Sequence, residues 1–316
     1  MSAPGQGYRG RARGESAAMT STAALPSPAI AVRRSAKPRI AWPWLDRAGR
    51  FSPLKASVLV LALLPGAAVA WLLATGQMGA EPFKQAAREV GTITYRMLLL
   101  TLLVTPLRAV ADWPAIVQVR RMLGLVTLGY ALAHLGLYVA HMNGDLAKVA
   151  SEIALRAYLT IGFGALLGLA VLGATSTDAA MKRMGRGWKR LHRLVVPIAL
   201  LGLVHFFIQS KADVTEPTLM AGFVIWLLCW RTLPRELQAS GLGLLAVAIV
   251  AALGTVSVEY AWYALATRIP AERVLAANLD VLNGLRPAVI VLVTGLLAAA
   301  VPGLRRRLAG RRGATA

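Results

Sequence analysis

Cys229 is the one cysteine among 316 residues, which excludes an intrachain disulfide framework and any thiolate-built zinc or iron–sulfur site. Charge is scarce as well: 16% of the residues are Asp, Glu, Lys or Arg, against ~25% in ordinary soluble domains. Acidic groups are the scarcest, 14 against 35 Lys and Arg, so the formal net charge is +21. No glycine fingerprint for a phosphate or dinucleotide stands in a strand–helix setting, which argues against an internal NAD(P)H domain. Neither β-barrel alternation nor an internal repeat of fixed period is visible.

Apolar residues are abundant, at 57% with a mean hydropathy of +0.58. They fall into uncharged runs too long and too many for one buried core. A membrane helix needs about 20 mostly apolar residues to cross ~30 Å of hydrocarbon. Eight stretches qualify, at 56–75, 91–111, 122–144, 157–177, 191–210, 215–230, 237–258 and 287–304, the sixth being short. The expected class is therefore an all-α integral membrane protein. Arg96 lies near one end of the second run, where a long side chain can snorkel. Pro65, Pro106 and Pro197 are expected to kink their helices without ending them. Gly164 and Gly168 read as a close-packing face.

The basic residues sit between these runs, so they call for a membrane surface and not for nucleic acid. With the N-terminus cytoplasmic, 26 of the 35 Lys and Arg fall on the cytoplasmic side, which predicts that both termini are cytoplasmic. Residues 1–55 form a basic tail rich in Ala, Pro, Gly and Ser, predicted to be disordered. Within it, Arg33-Arg34 is not followed by an apolar stretch, so a cleaved signal is not expected, and Met19 is an alternative start. The longest outer loop, 259–286, reads as a solvated connection.

All four histidines belong to the third and fifth runs: His134 and His141 in one, His192 and His205 in the other. Ionisable groups inside a membrane are costly, and several confined to two helices point to a site. His134 and His205 lie about 20 Å and about 22 Å from the cytoplasmic edge, by the ~1.5 Å rise per residue, on spans that both run from inside to outside. Two facing imidazoles at one depth are what the axial positions of a b-type haem require. Zinc would need further ligands that this depth does not offer. His192 lies ~20 Å lower, and an ideal helix would turn it about 220° away from His205. At its depth on the third run stand Arg120 and Arg121. They suit a haem with an unusual second ligand, a propionate clamp, a flavin phosphate site, or a plain cationic anchor at a helix start. His141, two turns beyond His134, is a substitute ligand or faces a partner.

Several pieces occur in a telling order: Gly79-Ala80-Glu81-Pro82, Thr105-Pro106-Leu107, Arg120-Arg121-Met122-Leu123-Gly124-Leu125, and Tyr130 to His134. They continue with Arg156-Ala157-Tyr158-Leu159-Thr160-Ile161-Gly162, Thr175-Ser176, Trp188 to His192, and His205. With these pieces, residues 79–230 resemble the MsrQ/YedZ family, the haem-binding membrane subunit of the periplasmic protein-methionine-sulfoxide reductase system, within the ferric-reductase-like transmembrane superfamily. The resemblance implies a six-helix core, haem b and FMN. It also implies electron transfer in a bacterial inner membrane to a periplasmic molybdopterin-containing methionine-sulfoxide reductase. Its three functional histidines fall on His134, His192 and His205; His141 has no counterpart.

The expected organisation is a tail (1–55), a six-helix haem-binding domain (56–235) and a two-helix extension with a basic cytoplasmic end (236–316). Electrons would enter from a quinone or a cytoplasmic flavin reductase near Arg120, Arg121 and His192, and leave through haem held by His134 and His205. The alternatives are a ferric or small-molecule reductase of the same superfamily, and a cofactor-free transporter or scaffold whose histidines are satisfied core residues.

Overall fold

The computed structural model describes residues 42–46, 48–211, 213–279 and 284–313. Most of the expected tail, with Met19 and Arg33-Arg34, lies outside them. The chain forms α1 (Pro53–Ala74), α2 (Pro82–Val110), a 3-10 turn (Pro114–Val119) leading into α3 (Arg120–His141), α4 (Leu146–Leu155) and α5 (Ala157–Ala174). Then come α6 (Asp178–Met184), α7 (Arg186–His192), α8 (Val195–Ser210), α9 (Thr215–Thr232), α10 (Gly241–Ala266), α11 (Ala271–Leu279) and α12 (Pro287–Gly313). The only β pairing among the described residues is an isolated bridge between Leu45 and Phe51. Polar side chains mark several helix starts: Ser52, Asp145, Thr177 and Ser240 each accept a first-turn backbone N–H.

Seven helical segments among the described residues are long and apolar enough to cross a membrane, and the chain is a multi-pass membrane protein. They cover seven of the eight expected runs. The remaining run forms α9, which falls short because Glu216 and Arg231 lie inside its 18 residues. α9 is instead an interior helix. Its buried Met220, Val224, Trp226 and Leu227 join a core with α2, α5, α8 and α10, and it packs against both α10 and α12. By contrast α1 turns Leu61 (64% exposed) and Trp71 (68% exposed) outward, as a lipid-facing helix does. A second core ties α1 to α2 and α3 through Ala62, Val90, Met97 and Tyr130.

Four expectations are corrected in detail. Pro65 and Pro106 sit inside continuous helices, but the fifth run is broken, with α7 ending at His192 and α8 starting at Val195. Pro197 occupies the first turn of α8, where its missing N–H costs nothing, and its ring opposes helix at residue 193, four back. Arg96 does not merely snorkel; it pairs with Glu216 across α2 and α9 at 2.6 Å. The outer loop is not simply solvated. Glu259, 2% exposed on α10, accepts hydrogen bonds from Arg286 Nη2 (2.6 Å) and Asn278 Nδ2 (2.8 Å), clasping the C-terminal ends of α10 and α11 to the start of α12. Finally, of the two glycines read as a packing face, a Cβ on Gly168 would lie 2.7 Å from Ile198 of α8, whereas Gly164 faces open space.

Candidate functional site

α3 and α8 each carry one histidine into the interior, and the two rings meet. The ring centres of His134 and His205 are 6.4 Å apart, with an angle of 78° between their planes. Each ring is tied by Nδ1 to a helix other than its own. His134 Nδ1 lies 2.7 Å from the carbonyl oxygen of Ala87 on α2, and His205 Nδ1 lies 2.7 Å from that of Tyr158 on α5. A carbonyl can only accept, so both rings carry their proton on Nδ1, and Nε2 keeps its lone pair. Tyr158 also lays its ring near-parallel to His205, at 24° and 6.4 Å.

This donor set fits a haem iron. Ligating histidines characteristically donate their other nitrogen to a carbonyl, which fixes tautomer and ring orientation. Two metal–imidazole bonds of about 2 Å, with about 1 Å more from each nitrogen to its ring centre, span roughly 6 Å, close to the observed separation. Among the described residues no group of three His, Cys, Asp or Glu side chains converges. The pair is thus a two-ligand site, suited to a metal whose remaining positions a macrocycle fills.

The inner histidine is held differently. His192 closes α7, its ring stacked on Trp188 with centres 3.9 Å apart, and Trp188 Nε1 donates to the carbonyl of Thr175 (2.9 Å). His192 Nδ1 lies 3.2 Å from the Trp188 carbonyl oxygen, and Nε2 lies 3.3 Å from Ser176 Oγ. Both ring nitrogens therefore face oxygen. Of the two arginines expected beside it, Arg120 lies within electrostatic reach of His192, while Arg121 forms an exposed pair with Asp178 (2.6 Å). A third cation went unforeseen: Arg231 of α9 donates to the carbonyls of Leu227 (2.8 Å) and Leu102 (3.1 Å), within electrostatic reach of Arg120. Its place directly after the sixth apolar run, in the last turn of α9, was the available signal. The carbonyls of Ala87 and Tyr158 carry no such mark, because backbone acceptors are invisible in a sequence; Ser176 stood only within the Thr175-Ser176 piece, with no role attached.

His141 ends α3 beside the polar start of α2. It is within electrostatic reach of Glu81, whose carboxyl is held below its ordinary value chiefly by the hydrogen bond from Lys84, with smaller help from His141 and Arg88. Glu81, Lys84 and Arg88 line an open cleft of about 290 Å³ there.

The family described as "Ferric reductase like transmembrane component" matches residues 90–203, which takes in His134 and His192 and stops two residues before His205. Among curated relatives, the protein-methionine-sulfoxide reductase heme-binding subunit MsrQ of Xanthomonas campestris pv. campestris (strain B100) is 38% identical over 188 residues, 57% of this chain and 86% of the relative. The MsrQ of Xanthomonas axonopodis pv. citri (strain 306) is 40% identical over 162 residues, 51% of this chain and 74% of its own. That of Bordetella pertussis (strain Tohama I) is 38% identical over 186 residues, 58% and 89% respectively. No solved structure matches.

Proposed function

The chain belongs to the MsrQ family, and from that premise we propose that it is the haem-binding, electron-transferring membrane subunit of a protein-methionine-sulfoxide reductase system. The observation that carries the reading is the pair of Nδ1-anchored imidazoles, His134 and His205, 6.4 Å apart. A b-type haem, when bound, supplies reversible one-electron exchange, and the organic chemistry belongs to the cofactors. The chain's contribution is to hold two neutral imidazoles in one tautomer, between apolar helices that exclude water.

His192 and Arg120 are the proposed inner site, for a second haem or for FMN, with Arg121 turned aside to Asp178. Arg120 offers the cation that a propionate or a flavin phosphate takes, with Trp188 and Ser176 holding His192 in place. In this reading electrons enter on the cytoplasmic side from a quinone or a flavin reductase. They leave on the outer side for a periplasmic molybdopterin-containing methionine-sulfoxide reductase. The proposed location is a bacterial inner membrane with both termini cytoplasmic, supported by the distribution of Lys and Arg. The proposed organisation keeps the tail 1–55, the haem-binding domain 56–235 and the extension 236–316.

The test is an optical spectrum of the purified full chain, oxidised and dithionite-reduced. A b-type signal that disappears from the outer centre in both His134→Ala and His205→Ala is the expected result. No haem, or full haem in both variants, overturns the reading. Co-purification of a periplasmic oxidoreductase separates it from a ferric or small-molecule reductase of the same superfamily.

A further inference from the structure

The two outer histidines are held by the same device built twice. His134 reaches back 47 residues to the carbonyl of Ala87, and His205 reaches back 47 residues to that of Tyr158, both at 2.7 Å. One turn beyond each carbonyl stands a glycine facing the ring. A Cβ on Gly91 would lie 3.0 Å from His134 Cε1 and Nδ1; a Cβ on Gly162 would lie 2.7 Å from His205 Nδ1 and 2.8 Å from Cε1. Ala87, Gly91 and His134 thus correspond to Tyr158, Gly162 and His205, each about 71 residues on in the chain. The first copy uses α2 and α3, the second α5 and α8, and corresponding helices run in the same direction. Sequence inspection shows no repeat because three positions carry it, at a period beyond the 20–50 residues of repeat arrays.

We infer that Gly91 and Gly162, with the carbonyls of Ala87 and Tyr158, are positioning groups that set the rotation of each axial imidazole and hold the two ligand planes crossed. The inference rests on haem binding between His134 and His205. Its physical basis is that an Nδ1–H aimed at a fixed carbonyl leaves a ring little freedom to turn about the bond from Nε2. Because the two carbonyls belong to different helices, each plane is set separately, and the observed angle is 78°. A Cβ at Gly162 would overlap the His205 ring and force it to shift, and one at Gly91 would press on the His134 ring at the limit of contact. In a low-spin ferric haem, parallel imidazole planes split the iron's π-bonding orbitals and give a rhombic, three-line paramagnetic resonance spectrum. Crossed planes leave those orbitals nearly degenerate and give a strongly axial signal dominated by one low-field feature.

The experiment is electron paramagnetic resonance on the oxidised full chain, with haem content read optically on the same samples. The wild-type chain is expected to show the axial signal for the centre that is lost in His134→Ala. Gly162→Ala should convert that signal to the rhombic form or expel the haem, and Gly91→Ala should shift it less, since its contacts are looser. Alanine is the better helix former, by about 1 kcal/mol, so weakened helix propensity cannot be the cause. Gly164→Ala, on the same helix and facing open space, is the control and should leave the signal unchanged. A rhombic wild-type signal, or an unaltered signal in both Gly162→Ala and Gly91→Ala, overturns the inference while haem binding stands. Absence of any b-type haem is a different result and removes the premise instead. If Gly162→Ala does not accumulate, the wild-type spectrum and Gly91→Ala still decide.

Discussion

Each ring of the outer pair commits one nitrogen to a carbonyl on a neighbouring helix and keeps the other. The inner ring of His192 has oxygen against both nitrogens and an indole against its face. The outer rings sit inside continuous helices, more than a turn from either end, while His192 ends a short helix just before a break. The comparison teaches that an outer imidazole is prepared to ligate as it stands. Ligation by His192 Nε2 instead requires Ser176 to yield. It also shows two ways of fixing a histidine. One uses partners that two other helices, α2 and α5, supply; the other uses partners close in the chain, Trp188 and Ser176, within 16 residues.

Breaking each site in turn should expose the difference. The largest effect is expected from His205→Ala set against His192→Ala: the first removes the outer haem, and the second leaves it intact, as read by reduced-minus-oxidised spectra. If His192→Ala also empties the outer centre, the two sites are not independent. Next comes the clasp around Glu259. Arg286→Leu strands the buried carboxylate of Glu259 and should cost about 3 kcal/mol or more in a thermal or denaturant melt, with His192 unaffected. Smaller again is Ser176→Ala. It removes the oxygen beside His192 Nε2 together with its bond to the Leu172 carbonyl, a net loss of about 1–2 kcal/mol. Modification of His192 by diethyl pyrocarbonate, followed by mass spectrometry, should then speed up while His134 stays protected. The smallest effect belongs to Arg121→Ala, since its exposed pair with Asp178 is worth at most about 1 kcal/mol. The same His192 modification assay should respond to Arg120→Ala and hardly at all to Arg121→Ala.

The outer pair was legible in the sequence because depth is additive along a helix. His134 and His205 stand 13 and 15 residues past Arg121 and Arg190 in apolar runs expected to share one direction, and the short break at Arg193 and Leu194 changes a rise far less than a rotation. The inner site was not legible to the same degree. A rotation counted along one ideal helix set His192 apart from His205, but the break at Arg193 and Leu194 removes the premise of that count. Which arginine stands beside His192 likewise depends on Asp178, which draws Arg121 away. The interior place of α9 was hidden for a similar reason: Glu216 is satisfied by Arg96, 120 residues away.

Composition and periodicity by themselves determined the membrane class and the approximate course of its helices, and they brought His134 and His205 to a common level. Those follow from the thickness of hydrocarbon and a constant rise per residue. Only the tertiary structure decided how each imidazole is turned, which arginine approaches His192, and that Glu259 lies buried against Arg286. These are matters of which helix stands beside which. A carbonyl or a missing Cβ on a neighbouring helix acts through space and leaves no periodic trace in the chain.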